Sequence, residues 1–190
     1  IRSVDPGGIE RVNMIDATPI GTNVRSTVAT YSGILDGLRR LYANTAAGKA
    51  GGYKLADFSY NTGSLRCPAC DGTGQITMDV QFLPDVEIVC PDCGGSRYGK
   101  EAGKICWVSR KDGAGISLPE LLALTVDQAL EKMAEVKKVR EKLQVLSNLG
   151  LGYLTLGEAT PALSGGEAQR LKLAAEMGKA QEDTLFVFDE

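Results

Sequence analysis

The chain has 190 residues, 43% of them hydrophobic and 24% charged, which is enough for one sizeable core or two small ones. A formal net charge of -3 excludes a surface that is basic all over, so any nucleic-acid contact has to come from a local patch. Histidine is absent, which excludes a histidine-liganded metal site and a histidine general base within these residues.

No run approaches the length of a membrane helix, and Ile1-Arg2-Ser3-Val4-Asp5 has no apolar signal-peptide stretch, so no membrane segment and a cytosolic setting are expected. Val12-Asn13-Met14-Ile15-Asp16 reads as a short strand. Through Pro19-Ile20-Gly21 the chain passes into residues 25–33, a polar and basic stretch read as loop. Ile34, Leu35, Leu38, Leu41 and Tyr42 fall on one face at helical spacing and predict a core-facing helix from about Ser32 to Asn44, with Arg39 and Arg40 toward solvent. The small residues from Thr45 to Gly52 read as a mobile connection.

Cys67-Pro68-Ala69-Cys70 and Cys90-Pro91-Asp92-Cys93 follow, two Cys-x-x-Cys knuckles with nineteen residues between them. Four thiolates at this spacing suit tetrahedral Zn²⁺ in a structural site, because no open position remains for water. Two disulfides are disfavoured in a reducing compartment, and a redox pair because neither knuckle opens a helix after a strand. Between the knuckles Ile76, Met78, Val80 and Phe82 alternate with Thr77, Asp79 and Gln81, the period of a strand with one buried face. Leu83-Pro84-Asp85 turns the chain and Val86 to Val89 returns, giving a hairpin that the metal fastens. So small a unit would draw most of its folding free energy from zinc, worth about 10 to 16 kcal/mol in finger peptides.

Residues 95–111 carry Arg97, Lys100, Lys104, Arg110 and Lys111 against one acid, Glu101, with Tyr98 and Trp107 interleaved. Such a segment is a nucleic-acid surface or a solvated basic face, and the sequence does not choose. Cys106 is left over, either as a buried, inert thiol or as a free exposed one. Thr125-Val126-Asp127-Gln128 is a capping box opening a short helix through about Met133. Val136 to Leu149 reads as a longer amphipathic helix with Val139, Leu143 and Leu146 on its core side, stopped at Asn148 and Gly150.

After a loop from Leu151 to Glu158 comes Leu163-Ser164-Gly165-Gly166-Glu167-Ala168-Gln169-Arg170. Ser164 is an N-cap and Glu167 closes a capping box, so a helix is predicted from Gly165 to about Gly178. Two glycines in the first turn leave backbone N–H groups bare at the positive end of the helix dipole, where a terminal phosphate can approach. An ordinary glycine-started helix gives the same pattern. The phosphate reading gains from the next segment, Thr184 to Phe188, which reads as a buried strand delivering Asp189 and Glu190, one to hold Mg²⁺ and one to polarise water. In this order and spacing the two resemble the signature sequence and Walker B strand of an ABC-type ATPase.

Several further runs narrow the resemblance: Asp16 to Gly21, Ala29 to Gly33, Phe58-Ser59-Tyr60-Asn61, the knuckles around Phe82 to Val86, Arg97-Tyr98 and Leu149 to Tyr153. Together with Leu163 to Arg170 they resemble the second half of the UvrA family, damage-recognising ATPases of bacterial nucleotide excision repair. The resemblance implies a mixed fold, α+β with α/β: a partial ABC-type ATPase lobe with an inserted helical signature domain carrying a small four-cysteine, zinc-bound β-hairpin module. Residues 1–33 would belong to the nucleotide-binding lobe, 34–155 to the signature domain with the zinc module at about 58–112, and 156–190 to the signature helix and Walker B strand.

Ser164, Gly165, Gly166 and Glu167 would face ATP held by the other lobe. Asp189 and Glu190 would act with Mg²⁺ on ATP held by this lobe's own Walker A loop, expected upstream of Ile1. The chain is therefore expected to be an excised piece that does not hydrolyse ATP alone. Arg66, Arg97, Lys100 and Lys104 are implied phosphate contacts on double-stranded DNA, read through shape and deformability. A homodimeric parent and a UvrB-like partner are further implications.

Three departures stand out. Ala17 occupies a position where the family usually has Gln, the loop from Thr22 to Val28 lacks the usual prolines and first arginine, and Glu158 replaces another Gln. They suggest a UvrA-like paralogue, and one that protects against DNA-binding drugs is an alternative function. A DnaJ-like zinc chaperone module is another, because Cys67 to Gly74 fits Cys-x-x-Cys-x-Gly-x-Gly. The second knuckle breaks that repeat at Arg97, and such proteins carry four repeats.

Overall fold

The computed structural model describes residues 11–79, 86–111, 113–177 and 184–188. Most of its helices begin where a hydroxyl is free to accept from an exposed backbone amide. Thr27 caps α1 (Val28–Tyr31), Thr45 caps α3 (Ala46–Ala50), Ser117 caps α4 (Leu118–Ala123) and Thr125 caps α5 (Val126–Lys132). The caps at Thr27, Ser117 and Thr125 are full capping boxes, closed by Thr30, Glu120 and Gln128. Helix α2 (Ile34–Ala43) follows α1 directly after Gly33, and α6 (Lys137–Leu146) runs on to Gly150, whose φ of +73° ends the helical path.

These helices share one core. Ile34, Leu38 and Tyr42 of α2, Leu118 and Leu121 of α4, Val126 of α5, and Leu143 and Leu146 of α6 are fully buried together. Burying each such side chain stabilises the fold by about 1.5–3 kcal/mol. The phenol of Tyr42 donates to Ile116 O at 3.0 Å, tying α2 to a small antiparallel pair, β4 (Cys106–Val108) and β5 (Gly115–Ser117). Past Gly150 the chain doubles back: Leu156 O and Glu158 O accept from Ala29 N and Val28 N at 2.9 and 3.0 Å, and Thr155 bridges Thr125. This return delivers the chain to α7 (Gly165–Met177).

Strands β1 (Arg11–Ile15) and β6 (Thr184–Phe188) form a parallel pair in register from Arg11 with Thr184 to Ile15 with Phe188. Helix α7 lies against β1, with Gln169 Nε2 donating to Ile15 O at 3.2 Å and Asn13 Nδ2 to Glu176 Oε2 at 3.0 Å. The separate hairpin joins β2 (Gln75–Met78) to β3 (Val86–Val89), pairing Ile76 with Ile88 and Met78 with Val86.

Several expectations need correcting. Residues 28–31 are helix and not loop, because Thr27 and Thr30 close a box too local to show in periodicity. The stretch read as a mobile connection contains α3, with Thr45 capping Gly48 N. The hairpin has no buried face among the described residues: Met78 and Val86 are exposed, and Val80, Phe82 and the turn at 83–85 lie outside them. Strand β6 is half-buried, not buried, since among the described residues it has one neighbouring strand.

Candidate metal centre and signature-helix start

The two knuckles are built alike. After Cys70 the residues one, two and four places on, Asp71, Gly72 and Gly74, have φ of 50, 78 and 80°; after Cys93, Gly94, Gly95 and Arg97 have 57, 84 and 72°. This left-handed path curls each chain around its own sulfur, and glycine is the residue that takes it without strain. Gly72 is needed for a second reason, since a Cβ there would overlap the carbonyl oxygen of Tyr60. In the first knuckle the curl brings Gly74 N–H to Cys70 Sγ at 3.3 Å.

The hairpin brings the two knuckles together. Cys90 N donates to Gly74 O at 2.9 Å, and all four sulfurs lie within 4.8 Å of one another. Cys67 and Cys90 are 3.9 Å apart at sulfur, Cys70 and Cys93 3.7 Å. Four sulfurs held at about 2.3 Å by one tetrahedral ion stand about 3.8 Å apart, so the spacing fits a Zn²⁺-sized cation and is far from a disulfide. All five cysteines are free thiols.

Charge argues the same way. Burial pushes Cys93 up to about 12 and raises Cys67 as well. At Cys70 burial also opposes ionisation, but the Gly74 N–H and the neighbouring thiols outweigh it and bring the group down to about 7. One thiol of the cluster thus ionises near neutrality, while burial favours the protonated form of Cys67 and Cys93, the form that a bound cation would displace.

The cluster docks on the helical core through aromatic residues. Tyr98 and Tyr60 meet edge to face with ring centres 5.9 Å apart, Tyr98 donates to Phe58 O at 2.8 Å, and Tyr60 donates to Arg25 O at 3.0 Å. Asp71 receives Arg66 at 2.8 Å and Arg25 at 3.2 Å. Of the four basic residues expected to meet DNA, Lys100 is exposed, Lys104 is exposed and paired with Glu101 at 2.6 Å, and Arg66 is half-buried beside Asp71. Arg97 is a correction: it is 6% exposed, with its guanidinium over the Tyr60 ring, because the left-handed turn points its side chain inward. The interleaved aromatics also belong to the core, Tyr98 being buried and Trp107 packed against it, so they do not form a base-stacking row. Cys106 is half-buried, its thiol directed at Gly103 O.

At the start of α7, the carboxylate of Glu167 accepts from both Ser164 N and Ser164 Oγ at 2.7 Å, which is the glutamate arm of the expected box. Hydrogen bonds from Tyr153 and Ser164 hold Glu167 below the usual carboxylate range. Ser164, Gly165 and Gly166 are exposed. A Cβ on Gly166 would meet nothing within 4 Å, whereas one on Gly165 would stand 3.1 Å from Ala17 O. The loop bearing Ala17 is fastened to α7 by Lys172, whose ammonium reaches Asp16 Oδ1, Thr18 O at 2.9 Å and Thr18 Oγ1 at 2.9 Å. Sequence reasoning gave no role at this turn to Lys172 or to Tyr153, which donates to Glu167; they stand six to thirteen residues from the two glycines, and nothing in their local pattern marks them. Asp189 and Glu190 lie outside the described residues, as does Gly178 at the expected end of the helix.

A mixed α/β chain that carries a four-cysteine cluster on a helical core, beside a glycine-started helix and a parallel strand pair, is a particular class of architecture. The crystal structure of UvrA2 from Deinococcus radiodurans matches it with a TM-score of 0.86 at 40% identity, over 98% of this chain and 22% of that one. UvrABC system protein A of Clostridium tetani is 40% identical over 183 residues, 96% of this chain and 19% of that protein. The same protein of Aquifex aeolicus is 43% identical and that of Bacillus subtilis 42%, over the same 96% of the chain. No protein-family model matches. In sequence and in fold the chain is a UvrA segment, and it spans about a fifth of the length of the relatives it matches. The chaperone and drug-protection readings draw no support from these matches.

Proposed function

We propose that this chain is the metal-bearing, DNA-contacting segment of a UvrA-type ABC ATPase acting in nucleotide excision repair. The observation that carries the reading is the match to UvrA2 along 98% of the chain at a TM-score of 0.86. In this reading Cys67, Cys70, Cys90 and Cys93 hold one structural Zn²⁺, which would supply a fixed crosslink between the two ends of the hairpin. Lys100, Lys104 and Arg66 then face the phosphates of double-stranded DNA. Their contacts would position the protein on the duplex without reading bases, as a sensor of distortion requires.

Ser164, Gly165 and Gly166 offer their amides to the terminal phosphate of ATP held by another lobe, with Glu167 fixing the turn. Asp189 and Glu190 take the Walker B roles toward Mg²⁺ and water. The parent would act as a cytosolic homodimer with a UvrB-like partner; no helix among the described residues is long and apolar enough to cross a membrane. The domain division expected from the sequence is part of this proposal.

The test is duplex binding by the full-length parent, comparing lesion-containing with undamaged DNA by fluorescence anisotropy. A preference for the lesion that is lost when Cys90 is replaced by Ala, with ATP turnover retained, is the expected result. Equal binding to both duplexes by the wild type would sink the reading.

A further inference from the structure

The knuckles differ at the position four residues after the second cysteine, which is Gly74 in one and Arg97 in the other. Both take the left-handed path, at φ of 80 and 72°, and both turn their amides to a sulfur: Gly74 N–H to Cys70 at 3.3 Å, Arg97 N–H to Cys93. A glycine would do this without strain, so the backbone gives no reason for an arginine. The side chain has its own cost. Arg97 is 6% exposed, and its Nε and Nη1 have no hydrogen-bond partner. The Tyr60 ring, 5.3 Å from Cζ, attracts the cation but does not satisfy two in-plane donors.

A buried guanidinium left in this condition needs a negative charge nearby. The titratable groups that act on Arg97 through space are Tyr60, Cys70, Cys93 and the cationic Arg25, whose own partner is Asp71, and the Arg97 side chain lies beside Gly74 of the first knuckle. Four thiolates around a divalent ion retain a net charge of two minus, so the centre proposed above presents the missing anion. We infer that Arg97 is the buried counter-cation of the four-cysteine centre, its guanidinium on Tyr60 offsetting the charge of the metal-bound thiolates while its amide orients Cys93. The inference rests on the metal reading, and it makes Arg97 a positioning and tuning residue in place of the phosphate contact expected from sequence.

The test is zinc retention by the 190-residue chain in competition with a chromophoric chelator, preceded by metal analysis of the wild type. A wild type that binds no zinc would remove the metal reading and this inference with it. With one zinc bound, Arg97→Met and Arg97→Gly are expected to lower zinc affinity about 10- to 100-fold, the usual range for loss of a group supporting a ligand. Arg97→Lys should recover most of that loss. In cobalt-loaded protein the sulfur-to-metal charge-transfer band should shift in the Met and Gly substitutions and stay near its wild-type position in Arg97→Lys. A merely space-filling role would leave Arg97→Met and Arg97→Lys equal in affinity. That equality, or zinc binding by Arg97→Gly as tight as the wild type's, would overturn the inference while leaving the metal reading intact.

Discussion

Replacing Gly166 by Ala separates the folding role of the α7 start from its proposed phosphate role. Gly166 is helical and exposed, and an added Cβ meets no atom within 4 Å. Glycine in a helix is less stable than alanine by about 0.5–1 kcal/mol, so Gly166→Ala should stabilise the chain by up to that amount. For a chain of this size that raises Tm by about 2–4 °C at the upper end. Gly165→Ala is the internal control. Its Cβ would stand 3.1 Å from Ala17 O, a backbone atom in the loop that Lys172 holds, so the neighbour must give and the helix gain is cancelled or reversed. Thermal melts followed by circular dichroism should rank Gly166→Ala above the wild type and Gly165→Ala at or below it. In the full-length parent the same Gly166→Ala should lose ATP turnover, because the methyl stands where the phosphate approaches the bare amides. Gly166→Ala melting below the wild type would refute the open geometry, and a stabilised parent with full turnover would refute the phosphate reading.

Metal analysis of the wild type should find one zinc per chain, and Cys90→Ala should lose it; full zinc in that variant would dismiss the four-sulfur site. The Asp16 carboxyl is held at about 2, below its ordinary 3.8, chiefly by hydrogen bonds from Lys172 and Thr18. Because the folded value is the lower one, its contribution is present above about pH 4 and disappears as pH falls through 2. The melting difference between wild type and Asp16→Asn should therefore shrink across that window, and a constant difference would show that the pair does not form. Tyr42→Phe removes the hydrogen bond to Ile116 O and should cost about 1 kcal/mol in urea unfolding; no loss would mean the carbonyl finds another donor. Lys100→Ala should weaken duplex binding and lower the salt slope by about 1, whereas an unchanged slope would take Lys100 off the DNA surface.

Periodicity revealed the elements that span several turns. The stripes Ile34-Leu38-Tyr42 and Val139-Leu143-Leu146 are core in the structure, and the capping box at Thr125 opens a helix where expected. Helices of four to six residues stayed hidden because no helical stripe can repeat in so short a run. Helix α4 did carry a legible mark, Ser117-Leu118-Pro119-Glu120, a capping box with proline in the first turn, and only its length concealed it. The hairpin shows the opposite limit. Alternation at Ile76 and Met78 correctly marked a strand, but whether a strand's apolar face is covered depends on a second layer, which local sequence does not describe.

The same division holds at the candidate sites. The cysteine cluster was legible because each knuckle's geometry is local, and the hairpin brings all four sulfurs within 4.8 Å of one another. Arg97 was misread because composition treats an arginine among lysines as surface, yet the sequence held the contrary signal: the repeat in the first knuckle ends in Gly74, and Arg97 stands where that glycine should be. A residue in a glycine position either abandons the turn or carries strain for a reason. Here the turn is kept, and the side chain is driven inward over the Tyr60 ring. The break in the repeat was thus the most informative letter in the module. Reading it required knowing where Tyr60 sits, thirty-seven residues away along the chain and in contact in the fold.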